Sequence, residues 1–123
     1  VRYSIEKTSS YMDSRKIITA LPFYTRLWKT VGTQVSSEAY PMTSVDKVLA
    51  TYGMEKTWDE TTSQNYAEIT VGDTFYQMWV EDVQSIGVKL NVMQNYDLGG
   101  VAAWRLGYEP AAVWDMIGAY LQQ

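Results

Sequence analysis

The sequence predicts an α/β fold made of two buried strands and the helix between them, interrupted by a smaller α+β segment. Two observations carry this prediction. Residues 80–107 have the pattern of an amphipathic helix, a glycine turn and a short apolar strand in direct succession. Residues 17–24 form a second apolar, partly β-branched run, and strands covered on both faces are nearly continuous apolar runs. The length of 123 residues allows one compact unit with a modest core.

The first strand is preceded by residues 1–15, whose weak helical pattern we interpret as the end of a helix. The strand ends at Pro22, because proline cannot donate a hydrogen bond within a central ladder. Tyr24, Arg26 and Trp28 are then expected just beyond the strand end. Barrels and doubly wound folds bind ligands at the ends of parallel strands, so these three side chains are candidate binding residues.

Residues 29–79 are more polar and predict an α+β insert. Its predicted elements are an extended piece, a short helix and a two-stranded hairpin, at residues 33–40, 44–52 and 65–80. A Gly-Asp pair between two alternating runs is a hairpin signal. A βαβ crossover needs only short loops and one helix, so an inserted subdomain explains the extra length.

The helix after the insert is predicted over residues 82–96, with Asp82 as its N-cap. A glycine pair leads from this helix into the apolar strand 101–104, and Pro110 opens a last helix over residues 111–121. In the helix predicted at 82–96, four apolar residues recur at three- and four-residue spacing, which indicates one buried face. They are Val83, Ile86, Leu90 and Met93.

Composition and charge exclude several functional classes. Ten Lys and Arg against fourteen Asp and Glu give no reason to expect a nucleic-acid partner, and the composition indicates no membrane span. The absence of Cys and His removes disulfides, thiolate metal sites and serine or cysteine triads. No calcium-loop pattern is present, so we predict no metal and no cofactor. The chain begins with Val1, and we expect it to be a piece of a longer polypeptide.

Three stretches resemble the C-terminal third of family 18 glycoside hydrolases, the chitinase-like barrels: LPFYTRLW, WVEDVQSIGVKL and LGGVAAWRLGYE, in this order around the insert. TWDE, YAEI and MWVED resemble the insert of bacterial spore-cortex and spore-germination glycosidases. The resemblance implies a C-terminal fragment of a (β/α)8 TIM barrel, with strands 7 and 8 and their helices, carrying an α+β insertion subdomain. Residues 1–28 and 80–123 would be the partial barrel, and residues 29–79 the insertion.

The resemblance also implies a function. Family members cleave β-1,4-linked N-acetylglucosamine polymers with retention, through attack by the sugar's own N-acetyl group, and peptidoglycan is favoured here over chitin. Their acid catalyst is the last Glu of a D-x-x-D-x-D-x-E pattern, which does not occur in this sequence. We therefore expect no catalytic residue in this chain, an inactive chain on its own, and a secreted, cell-envelope or spore-associated location.

Several site residues follow from the same resemblance. Trp104 matches the tryptophan that ends the eighth strand and floors the subsite of the cleaved sugar; the alternative is a core tryptophan. Tyr24 and Arg26 match the Tyr-x-Arg that binds sugar hydroxyls and the N-acetyl side of the groove. The alternative for Arg26 is a surface arginine paired with an acid. Thr25 departs from the Gly found in many chitinases.

Glu81 and Asp82 are adjacent carboxylates at a strand-to-helix junction, as in an acid/base pair. A structural interpretation is favoured, in which Asp82 caps the helix and Glu81 lies near its positive N-terminus. A substrate-binding role for Glu81 at the groove remains open.

The aromatic residues of the insert have two interpretations, as sugar platforms or as its small core. We expect Trp58, Tyr66 and Trp79 to be mostly core, and Trp28 to face sugar.

Two further functions remain as alternatives to a glycosidase part. One is a non-catalytic carbohydrate-binding or germination-associated module. The other is a free-standing α+β domain. In any of these cases the open edges of a partial barrel favour self-association.

Overall fold

The computed structural model describes residues 1–122. It contains four α-helices and seven β-strands. In chain order they are α1 (Arg2–Ser9), β1 (Ile18–Pro22), β2 (Tyr24–Val31), β3 (Gln34–Pro41), α2 (Val45–Tyr52), β4 (Thr57–Asp59), β5 (Gln64–Val71), β6 (Thr74–Val80), α3 (Val83–Met93), β7 (Gly100–Trp104) and α4 (Ala112–Leu121). The mixed α/β class expected from the sequence is confirmed.

Strands β1 and β7 form a two-stranded parallel sheet, in register from Ile18 opposite Gly100 to Pro22 opposite Trp104. Helices α1, α3 and α4 supply most of the apolar residues that pack with this pair. The core cluster consists of Ile5, Leu21, Phe23, Met42, Ile86, Leu90, Met93, Val113 and Ile117. The stripe predicted for α3 is therefore largely buried, as its spacing indicates.

The turn into β7 depends on a glycine. A Cβ at Gly99 would overlap the backbone oxygen of Arg15, and the Gly99 amide donates to the Ile17 oxygen at 2.9 Å. Because the two backbones approach this closely, β7 starts alongside β1 in a fixed register.

The other five strands form an antiparallel sheet in the order β3-β2-β6-β5-β4. One face of this sheet packs on α2. The buried residues between them are Leu27, Val45, Val48, Leu49, Met54, Ala67, Met78 and Val80. The insert thus has a core of its own, made of aliphatic and methionine side chains.

Strand β2 is not predicted from the sequence, where the first extended piece of the insert is residues 33–40. The sequence places residues 24–28 in the barrel part, beyond the end of a strand, whereas the structure places them in the antiparallel sheet. Only Phe23 separates β1 from β2. Alternation explains the difference, because Thr25 and Leu27 are buried while Arg26 is exposed on the opposite face.

Candidate functional site

The candidate site lies where β1 and β7 end and β2 begins. Phe23 joins these elements: its amide donates to the Trp104 oxygen at 2.7 Å, and its carbonyl oxygen accepts from the Met42 amide at 3.0 Å. Its ring is buried and meets Trp114 edge to face, with the centroids 5.9 Å apart. The last residue of β7 and the first residues of β2 are therefore held side by side.

Trp104 is the last residue of β7 and is 67% exposed. Within this chain it is not a core tryptophan, which was the alternative to a sugar platform. Its peptide bond to Arg105 is cis. The guanidinium of Arg105 lies over the Tyr108 ring, 4.7 Å from its centroid.

Glu109 organises the loop that follows Trp104. It accepts from the Gly107 amide at 2.9 Å and from the Trp114 indole nitrogen at 2.9 Å. Hydrogen bonds to the backbone and to Trp114 lower the pKa of this carboxyl. Glu109 thus stays ionised and keeps the loop closed beside Trp104.

Tyr24, Arg26 and Trp28 are alternate residues of β2 and share the face opposite to the insert core. Arg26 is exposed, and its Nη1 donates to Ser37 Oγ at 2.8 Å. Within residues 1–122 no carboxylate lies within ion-pair distance of Arg26, so the alternative of a surface ion pair is not what the structure shows. The guanidinium retains donors that a ligand can use.

The same face carries Tyr66 and Trp79, which the sequence predicts as core residues, beside Trp28, which it predicts to face sugar. Trp28 lies opposite Gln77, and Gln77 lies opposite Glu68 on the next strand. Tyr66 and Trp79 are paired across the strands with centroids 5.0 Å apart. None of these three aromatic residues belongs to the core cluster of the insert in the described part of the chain. The expectation of a largely aromatic core is therefore wrong for Tyr66 and Trp79.

Trp58, on β4, is half-buried and also lies outside that cluster. The core expectation for Trp58 is therefore wrong as well. Trp58 lies opposite Asn65 of β5, and its own strand β4 is the edge strand of the sheet.

Tyr66 is tied to the acidic side chain on its own strand. Its hydroxyl donates to Glu68 Oε2, 2.6 Å away, and also lies 3.2 Å from Gln77 Oε1. Burial, together with this bond to Glu68, raises the pKa of Tyr66 to about 12. Tyr66 therefore stays a neutral phenol on the face that carries Trp28.

Asp82 caps α3, as the sequence predicts. Its Oδ1 accepts from the Ser85 amide at 3.0 Å, and Ser85 Oγ accepts from the Asp82 amide at 3.0 Å, which forms a capping box. Asp82 Oδ2 also accepts from Asn65 Nδ2 at 2.9 Å. The carboxylate is engaged in holding the helix and the end of β5.

Glu81 is enclosed within the chain and is 4% exposed. Its carboxylate accepts from Ser85 Oγ at 2.6 Å and from Gln64 Nε2 at 3.2 Å, and it forms an ion pair with Lys89. Burial raises its pKa, while Lys89 and Ser85 act in the opposite direction. The groove-lining role left open for Glu81 is therefore not supported, because a buried carboxylate with three internal partners does not face a ligand.

Sequence reasoning missed the residues that hold Glu81. The signal was present in the spacing, since residues 81, 85 and 89 are four apart and four-residue steps share one face of a helix. Thr25, whose Oγ1 accepts from the Glu81 amide at 2.7 Å, carried no such signal.

Two features are absent from residues 1–122. These residues contain no grouping of three or more Asp, Glu, His or Cys side chains suited to a metal ion. They also contain no helix with both the length and the apolar character needed to cross a membrane.

Residues 1–109 match the model of glycosyl hydrolases family 18. The chain belongs to this family. It is 25% identical over 118 residues to the proposed sporulation-specific glycosylase YdhD of Bacillus subtilis (strain 168), covering 89% of this chain and 27% of that protein. The chain thus spans about a quarter of the length of this curated relative.

Two crystal structures show the same fold. The spore cortex-lytic enzyme SleL of Bacillus cereus has a TM-score of 0.83 at 20% identity, over 98% of this chain and 29% of SleL. A chitinase of Chromobacterium violaceum ATCC 12472 has a TM-score of 0.80 at 22% identity, over 97% of this chain and 37% of the chitinase. The chain therefore spans 29% of the length of SleL and 37% of the length of the chitinase.

Proposed function

We propose that this chain is the C-terminal part of a (β/α)8-barrel glycoside hydrolase that acts on β-1,4-linked N-acetylglucosamine polymers. In this proposal β1 and β7 are barrel strands 7 and 8, and residues 24–80 form the insert. Two facts support a partial barrel: within residues 1–122, β1 and β7 pair only with each other, and the chain covers 27% to 37% of the three proteins compared above.

The observation that carries the proposal is the exposed Trp104 at the carboxyl end of β7, beside the start of β2. Active sites of βα barrels lie at the carboxyl ends of the strands. An indole plane buries the CH face of a sugar and favours the positive charge that develops during glycoside cleavage. Tyr24 and Arg26 supply hydrogen bonds to hydroxyl and N-acetyl groups from the adjacent strand.

The chain contributes binding groups rather than the acid catalyst. Glu81 and Asp82 are engaged inside the fold, and the acid pattern of the family does not occur in the 123 residues. The substrate-assisted retaining mechanism then requires a glutamate from a longer polypeptide, and the chain alone is expected not to hydrolyse glycans.

The similarity to spore proteins favours the peptidoglycan of the spore cortex over chitin as the substrate. SleL is a spore cortex-lytic enzyme, and YdhD is named as sporulation-specific. A secreted, cell-envelope or spore-associated location follows as part of the same proposal.

A titration with chitotetraose tests this function. We expect weak, millimolar binding that changes the tryptophan fluorescence, and Trp104→Ala should weaken it about fivefold, since a stacking contact is worth about 1 kcal/mol. Trp58→Ala serves as the matched control, because Trp58 lies on the edge strand β4 of the insert. An unchanged signal at millimolar sugar, or equal binding by Trp104→Ala, would contradict the proposed subsite.

The isolated chain is also expected to self-associate. Strands β1 and β7 each keep an open edge, and the nearby exposed apolar side chains are Ile18, Trp104, Leu106, Trp114 and Leu121. Size-exclusion chromatography should show dimers or larger species, and Ile18→Lys should shift them towards monomer. Val71→Lys, at an exposed site on the insert, is the control. A stable wild-type monomer with a dispersed amide spectrum would refute the expectation.

A further inference from the structure

Thr25 connects the face that carries the candidate site to the interior. It lies between Tyr24 and Arg26 on β2, but its side chain points the other way and is 2% exposed. Its Oγ1 accepts a hydrogen bond from the Glu81 amide at 2.7 Å. This hydrogen bond therefore connects β2, the first strand of the insert, to Glu81, which directly follows β6, its last strand.

The carboxylate of Glu81 holds this residue in place through three further contacts. Ser85 on α3 is fully buried and donates to Glu81 Oε1, while Lys89, one turn further along α3, pairs with Oε2. Gln64, at the start of β5, donates to the same Oε2 at 3.2 Å. Glu81 is thus bonded to α3, to β5 and to β2, and its position is set by all three elements.

We propose that Thr25 and Glu81 are positioning residues, which set the start of β2 against α3 and so direct Tyr24 and Arg26 towards Trp104. The inference rests on the proposed function, since it explains how a glycan-binding wall is aligned. Neither residue touches the glycan. Tyr24 and Arg26 project from the side of β2 opposite to Thr25. Holding the Thr25 side chain in place therefore also sets the direction in which these two side chains point.

The chemistry of the contact explains why it is specific. A buried backbone amide without a partner is costly, and water does not reach this site to replace the hydroxyl. Valine has the shape of threonine but no oxygen, so it leaves the Glu81 amide unsatisfied. Serine keeps the oxygen and loses only a methyl group.

The test compares Thr25→Val, Thr25→Ser and Thr30→Val in the 123-residue chain by two-dimensional amide NMR. Thr25→Val should displace the amide signals of residues 24 and 26 and the indole signal of Trp28, whereas Thr25→Ser should retain the wild-type positions. Thr30→Val is the control for the signals of residues 24 and 26 only, because it makes the same change further along β2 but on the face that carries Trp28. Chitotetraose affinity should be about three- to tenfold weaker in Thr25→Val alone.

Each outcome bears on the inference separately from the proposed function. Unchanged signals of residues 24, 26 and 28 in Thr25→Val would overturn the inference, whatever the sugar does. Displaced signals, with no sugar bound even by the wild type, would uphold the positioning role and reject the proposed function. If Thr25→Val does not fold, Glu81→Gln is measured in its place. It should displace the amide signals of residues 24 and 26 and the indole signal of Trp28, and wild-type positions of these signals would overturn the inference.

Discussion

Glu81→Ala is expected to lower the free energy of unfolding by about 3–5 kcal/mol, the usual cost of removing one partner of a buried ion pair. The loss leaves the half-buried Lys89 without its carboxylate partner and removes the acceptor of the Gln64 amide and the shorter of two contacts of the Ser85 hydroxyl. Urea unfolding followed by tryptophan fluorescence measures the change.

Glu55→Ala is the matched control, because Glu55 is exposed and surface substitutions usually stay within about 0.5 kcal/mol. A loss below about 1 kcal/mol for Glu81→Ala would show that the cluster relaxes around the gap and that Glu81 does not hold α3 to the insert.

The same carboxylate should make stability depend on pH in an unusual direction. Its pKa is raised above 4.5, chiefly by burial. Below pH 4.5 the group is protonated in both the folded and the unfolded chain, and between 4.5 and the raised value only the folded chain keeps the proton. The part of the stability that comes from this pKa shift is therefore complete below pH 4.5 and is lost as the pH rises through the folded pKa. Thermal unfolding of Glu81→Gln across this interval should lack that component; identical pH profiles would contradict it.

Phe23→Ala is the second large effect, with an expected loss of about 3–5 kcal/mol. Phe23 is completely buried, belongs to the main core cluster and meets Trp114 edge to face. Its removal leaves a cavity at the junction of β1, β7 and β2. Urea unfolding gives the loss, and Tyr3→Ala is the control, since the Tyr3 ring is 76% exposed. A comparable loss in both variants would argue against a core role for Phe23.

Local patterns in the sequence predict the elements that are built from neighbouring residues. The spacing on α3, the cap at Asp82, the Gly-Asp hairpin and the end of β1 at Pro22 all depend on contacts within a few residues. The resemblance to family 18 adds Trp104, which composition alone assigns to a core.

The remaining features depend on partners that are distant in the sequence. Strand β2 follows β1 after one residue, and only its pairing with β3 and β6 shows that it belongs to another sheet. The contact between Thr25 and Glu81 spans 56 positions. The sequence predicts Tyr66 and Trp79 as core residues because a short insert has few other apolar groups. They lie instead on the opposite face of the sheet, because aliphatic and methionine side chains fill the face that packs on α2.

The parallel pairing of β1 with β7 has a consequence for folding. Ile18 meets Gly100, and such long-range contacts close slowly because the entropy of the intervening loop is lost first. The insert is built mainly from antiparallel neighbours, and its two ends meet at Thr25 and Glu81. Once it has formed, only α3 and a short turn remain between its end and β7. We therefore expect the insert to form before β1 and β7 pair, because it shortens the loop that this pairing closes.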